Sequence, residues 1–255
     1  MNHVLSVLGY ALIPAIATIL GSLVAIFRTP GLGVQGAIQH FAAGVVFAAV
    51  AGEVLPEIMR EHELLPLILG FSLGVIAMLS IKWFTQRLGG HEESKGGALP
   101  TALLVTVAVD LLMDGLLVGI GFAAGATTGM LLTAALTLEV LFLGLSTAVA
   151  IRKAGATWQR MLLLITGLAL LIVLGALLGG TLLAGLAGPW LEGVLAFGAA
   201  ALLYLVTEEL LVEAHELPDT PLMTACFFIG FLMIFLIEMM VTPAANSGGF
   251  LDFRL

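Results

Sequence analysis

The chain has 255 residues, of which 60% are apolar and only 10% charged, and its mean hydropathy is +1.16. Such a composition excludes an ordinary soluble domain. The net charge of −8 comes without a basic block, which argues against nucleic acid as a partner, and the lone Cys226 rules out an intrachain disulfide or a thiolate cluster for a soft metal.

Apolar runs of about 20 residues or more recur along the chain, each long enough to cross a bilayer as a helix. The first, Val4–Phe27, contains Ala15-Ile16-Ala17, a small-x-small sequence of the kind found at signal-peptide cleavage sites. No basic residue precedes the run, Arg28 follows it, and its length suits a full span, so it is expected to remain as a transmembrane helix. The runs that follow are Val34–Met59, Leu64–Phe84, Leu99–Phe122, Met130–Ile151, Trp158–Leu183, Pro189–Val212 and Pro221–Val241. Connections are short except for the polar segment TQRLGGHEESKGGA. Pro189 and Pro221 open their helices, where a missing N–H is harmless, and Asp219 or Thr220 can cap the last one. The runs predict an all-α integral membrane protein with eight transmembrane helices. It is expected to form a single transmembrane domain over residues 1–255, with its one longer cytoplasmic loop at about 85–98.

Orientation follows from the basic residues. Placing both termini outside puts Arg28, Lys82, Arg87, Lys95, Arg152, Lys153 and Arg160 on the cytoplasmic side and leaves only Arg60 and Arg254 outside. Lys and Arg favour the cytoplasmic side, so both ends are expected outside; the expected location is the cytoplasmic membrane.

Three carboxylates interrupt these runs where a lipid-facing helix would have none. Asp110 and Asp114 lie in VTVAVDLLMDGLLVGIGF and Glu139 in LLTAALTLEVLFLGLSTAV, and neither stretch contains Lys or Arg. A charge at a bilayer centre costs roughly 2.5–3.5 kcal/mol, so three represent roughly 8–10 kcal/mol if ionised and unpaired. Protonation, a shared water-filled cavity or a bound cation removes that cost. Asp110 and Asp114 are four residues apart, on one helix face about 40° apart around the axis and about 6 Å apart along it. Gly115, Gly119 and Gly121 leave room for a neighbouring backbone. The next helix is antiparallel, which brings mid-helix Glu139 to similar depth. Together the three form a carboxylate cage that one or two waters would complete around a cation. A protonated, hydrogen-bonded structural cluster is the alternative.

Other polar residues carry less. Glu53 and Glu57 flank Pro56 near the outer end of the second run; Glu53, a turn deeper, is placed to receive ions from outside, while Glu57 suits solvated headgroups. Glu208 and Glu209 lie in the inner half of the seventh run, one of them facing the bundle, with Glu213, His215 and Glu216 reading as a solvated helix end. His40, His62 and His91 read as isolated interfacial or loop histidines, Glu192 complements its helix dipole, and Glu238 has no assigned role.

Eight spans, both termini outside and a polar loop between the third and fourth helices resemble the ZIP (Zrt/Irt-like) metal transporters over essentially the whole chain. In the second run, HFAAGVVFAAVAGEVLPEI resembles the family's small-residue stretch followed by His-x-x-Pro-Glu, with Glu53 at the histidine position. Asp110-Leu111-Leu112-Met113-Asp114-Gly115 has the spacing of the family's His-Asn-x-Pro-Glu-Gly. Glu139-Val140-Leu141-Phe142-Leu143-Gly144 corresponds to His (or Gln)-x-x-Pro-Glu-Gly, and Tyr204 with Glu209 matches the tyrosine and glutamate of the seventh helix. The departures are consistent: carboxylates stand where the family has histidine in the second, fourth and fifth helices. Leu111 replaces an Asn and Leu143 a Glu, which argues against a two-metal centre and leaves one site, Asp110, Asp114 and Glu139.

The resemblance implies a 3+2+3 inverted-repeat bundle with the site on the central helix pair. It also implies alternating-access transport of a divalent cation of the zinc, manganese or iron class, entering near Glu53 and leaving past Glu209, with Glu208 beside it on the pathway. Ligand chemistry leans from zinc toward manganese or harder ions, since imidazole suits late transition metals and an all-oxygen site suits manganese, magnesium or calcium. The expected partners are the metal ion and the lipid bilayer, with the metal as substrate and no cofactor. Gly167, Gly175 and Gly179 permit tight packing within the monomer or across a homodimer. The competing reading keeps the scaffold and makes the acids a proton relay in a proton-coupled exchanger or exporter. No enzymatic activity is expected: an intramembrane aspartyl protease shares a proton between aspartates on two helices, whereas both aspartates here ride one.

Overall fold

The computed structural model describes residues 2–27, 31–59, 63–89, 101–183, 185–215 and 220–241. Among them are helices and short turns and no strand. Eight helices are long and apolar enough to cross a membrane. They are α1 (Asn2–Phe27), α2 (Leu32–Ala49, prolonged to Ile58), α3 (Leu64–Gly89), α4 (Thr101–Ala124), α5 (Ala126–Lys153), α6 (Trp158–Leu182), α7 (Pro189–Tyr204, prolonged to His215) and α8 (Pro221–Val241). Large apolar side chains cover the outside of the bundle, among them Leu73, Ile76 and Leu79 on α3 and Leu232, Phe235 and Leu236 on α8. In water so continuous an apolar surface would aggregate; in lipid it is the surface that faces the solvent. The chain is a multi-pass helical membrane protein. Most of the loop expected at about 85–98, the residues Leu99 and Pro100 and the tail from residue 242 lie outside the described residues.

The third helix runs five residues past Phe84 to Gly89, into the expected loop, and two further local features differ from the expected spans. The fifth helix starts at Ala126 rather than Met130, because Gly125 alone makes the turn: its extended backbone ends α4, and its carbonyl accepts the Gly129 N–H at 2.9 Å. Phe122 lies directly over Gly129, and this contact fixes the sharp α4–α5 hairpin.

The second difference lies inside α2 and α7, each of which widens into a π-helical segment, Val50–Val54 and Leu205–Leu210. In α2 the Leu55 N–H reaches back five residues to Val50, one residue before Pro56, whose ring cannot donate to the preceding turn. In α7 the Leu211 N–H reaches Val206. There the Thr207 hydroxyl donates to the Leu203 carbonyl at 2.8 Å and competes with the regular ladder.

Packing sorts the helices into two bodies of four. One joins α1, α4, α5 and α6, with α1 along α5 and α4 along α6 as its principal pairs; the other joins α2, α3, α7 and α8, with α2 along α8 and α3 along α7. A glycine sits on both sides of each of these four crossings. A β-carbon on Gly21 would strike the Leu141 carbonyl and one on Gly144 the Thr18 carbonyl; Gly115 and Gly175 stand in the same relation to Ile172 and Leu112. In the second body Gly44 meets Phe227, Gly230 meets Phe41, and Gly70 meets Gly193. Lipid offers no hydrophobic drive for helix association, so close backbone approach and dispersion hold the bundle together. On α6, Gly175 and Gly179 pack on α4 inside the chain, whereas nothing lies within 4 Å of a β-carbon at Gly167.

Candidate metal site

The site sits where the two bodies meet. The Gly125 hairpin places α4 and α5 side by side, and the close approach of α6 at Gly115 and of α1 at Gly144 pins both helices next to their acids. Asp110, Asp114 and Glu139 each present one carboxylate oxygen, and these oxygens all lie within 4.8 Å of one another. A cation with ligand distances of about 2.4–2.6 Å spans oxygen pairs up to about 5 Å apart and reaches all three as they stand, while a smaller ion at about 2.0–2.1 Å draws them in to about 4.2 Å.

Asp114 and Glu139 are each 2% exposed, and Asp110 is half-buried. Among the described residues the Asp114 Oδ2 has no hydrogen-bond partner. A buried carboxylate oxygen without a donor is expensive, and a cation or a proton removes the expense.

A cavity of about 30 Å³ adjoins the cluster, lined by Gln39 of α2, Asp110 of α4, Glu139, Phe142, Leu143 and Ser146 of α5, and Leu205, Glu209 and Leu210 of α7. That volume holds one or two water-sized species. It lies on the side of the bundle where α2 and α4 begin and α5 and α7 end. Its floor belongs to one body and its roof to the other.

The remaining candidates separate clearly. Glu209 faces the cavity. Glu208, its neighbour in the widened turn, points away and pairs with Lys82 of α3 at 2.6 Å, both side chains being nearly half exposed. Glu53 stands apart from the cluster: its Oε2 accepts the Thr128 hydroxyl at 3.3 Å, at the beginning of α5 and about 16 Å along that helix from Glu139. Glu238 of α8 lies over Gly52, next to Glu53 in sequence, so it is packed onto α2 rather than facing away.

Gln39 and Ser146 were absent from the expected set. Single neutral polar residues in helices rich in small residues give no signal above ordinary helix composition. No protein-family model matches the chain, and no curated protein matches it.

Proposed function

We propose that this protein carries a divalent metal cation across a membrane, with Asp110, Asp114 and Glu139 as the binding station, on a scaffold of the ZIP type. The cluster carries the reading: three carboxylate oxygens within 4.8 Å, two of the groups buried, on helices that contain no Lys or Arg in their apolar stretches. Cations or protons are what offset so much negative charge at membrane depth. The metal is cargo, and the chemistry asks for no resident cofactor. An oxygen-only ligand set suits manganese or magnesium, while zinc and ferrous iron also accept carboxylate oxygen. Leu143 presents an apolar wall to the cavity where the family places a second-site carboxylate, which favours one cation over two.

The packing supports an inverted repeat. Exchanging α1 with α6, α2 with α7, α3 with α8 and α4 with α5 turns the α1–α5 pair into α6–α4 and the α2–α8 pair into α7–α3. The two π-helical segments exchange as well. A 3+2+3 arrangement behaves this way. Movement of one four-helix body against the other then alternates access, because α4 and α5 carry the acids while α2 and α7 carry the facing wall. With both termini outside, the cavity faces the cytoplasm, Glu53 belongs to the outer approach and Glu209 to the inner exit.

Close carboxylates also share protons, so proton-coupled exchange through the same acids is the competing reading. Liposomes holding the purified protein and a pH-sensitive dye separate the two. The carrier reading expects uptake of at least one of manganese, zinc, ferrous iron and magnesium. Acidification with no added metal, and no uptake of any of the four, would contradict it. In the same assay Glu209→Gln lowers metal uptake at least about 10-fold, as for groups that support a metal path. Glu208→Gln, which removes only an exposed ion pair, changes uptake by less than about twofold. Equal effects of the two substitutions would take Glu209 off the path.

A further inference from the structure

α2 and α7 bring together two imidazoles from distant parts of the chain. His40 follows the cavity residue Gln39 and is 1% exposed. Its Nδ1 lies 2.9 Å from the Gly36 carbonyl oxygen. A carbonyl can only accept, so Nδ1 carries the proton and Nε2 carries the lone pair. That Nε2 is buried and has no hydrogen-bond partner among the described residues. His215, six residues after Glu209 at the end of α7, uses its Nδ1 on the Leu211 carbonyl in the same way, and its ring is exposed. The two ring centroids are 5.3 Å apart and the planes are inclined at 59°.

We propose that His40 and His215 form a second cation site, which takes a late first-row divalent ion such as zinc through their two Nε2 atoms, with water completing the coordination. Three observations converge. Metal-bound histidines donate their other ring N–H to a backbone carbonyl or a carboxylate, and both rings here do so to the carbonyl four residues back. Two imidazoles bound at about 2.0–2.1 Å and a tetrahedral angle hold their centroids about 5 Å apart, which matches the observed separation.

The buried Nε2 of His40 supplies the third. Without a partner it carries the penalty of an unsatisfied polar atom, and a simple ring–ring contact does not relieve that; a metal ion does. Imidazole selects zinc and its neighbours over magnesium and calcium, so this pair discriminates among metals where the oxygen cluster does so weakly. The site belongs to the α2–α7 body alone and stands on the side of the bundle where α2 begins and α7 ends. An ion leaving the acids past Gln39 and Glu209 would meet it next.

Metal binding tests this independently of transport. The full chain is purified with His3, His62 and His91 replaced by asparagine, so that His40 and His215 are the only imidazoles, and with Asp114→Asn to disable the acidic cluster. Zinc is then counted by equilibrium dialysis and its ligands by X-ray absorption. The expected result is one zinc per chain with two imidazole ligands, retained in excess magnesium. His215→Ala, at an exposed position, loses both that zinc and the imidazole signature; His40→Gln does the same. Zinc bound without imidazole, no zinc bound, or stoichiometry and signature unchanged in His215→Ala would overturn the proposal. Each of those results leaves the acidic cluster's role to be judged from metal flux.

Discussion

Asp114→Asn abolishes metal flux and leaves the fold as stable as before, or more so. Asparagine keeps the size and shape of the side chain and removes its charge. Asp114 is 2% exposed, and its Oδ2 has no donor among the described residues, so the native charge is held without the hydrogen bonds that would make it a structural asset. Replacing such a buried charge by a neutral isostere is neutral or stabilising for folding. Loss of a direct metal ligand costs at least as much as loss of a supporting group, so flux falls by at least about 100-fold. Proteoliposome uptake and thermal melting in detergent, run on the same preparations, give the two readouts. A structural hydrogen-bond cluster predicts the opposite pair of results: lower melting temperature with flux retained.

The second large effect is on assembly. Gly144→Val places a branched side chain where the Thr18 backbone carbonyl already stands, and backbone cannot swing aside as a side chain can. Overpacking of this kind costs about 1–3 kcal/mol and more where backbones must separate. It also pushes α1 off α5 next to Glu139, so flux and stability fall together. Gly167→Ala is the matched control, because nothing lies within 4 Å of the new β-carbon and alanine is the better helix former by about 1 kcal/mol. Its melting temperature stays level or rises. A Gly144→Val protein that melts with the native one would contradict the glycine crossings as the basis of the bundle.

Much of this was legible in the sequence, and the rest was not for identifiable reasons. The eight spans are visible because lipid demands long apolar helices, whatever they pack against. The acids are visible because lipid penalises them, and the i, i+4 spacing of Asp110 and Asp114 already implied a shared face.

GATTG has the composition of a longer turn, yet one extended glycine, Gly125, suffices there. Glu208 and Glu209 are adjacent, so helical periodicity alone could not say which faces inward. The widened turn and the Lys82 pairing decide it. His40 read as an isolated interfacial residue because its partner, His215, belongs to another helix far along the chain. The 3+2+3 expectation set α4 and α5 apart as a central pair. The two bodies instead group α1 and α6 with that pair, an arrangement written in which glycines face which backbones.

One measurement reaches the central claim directly: uptake of manganese and zinc into liposomes containing equal amounts of the native protein or Glu139→Gln. The account predicts saturable uptake of at least one ion by the native protein and none above background for the variant, with both proteins melting at similar temperatures. Equal uptake by the two would contradict a cation path through Asp110, Asp114 and Glu139.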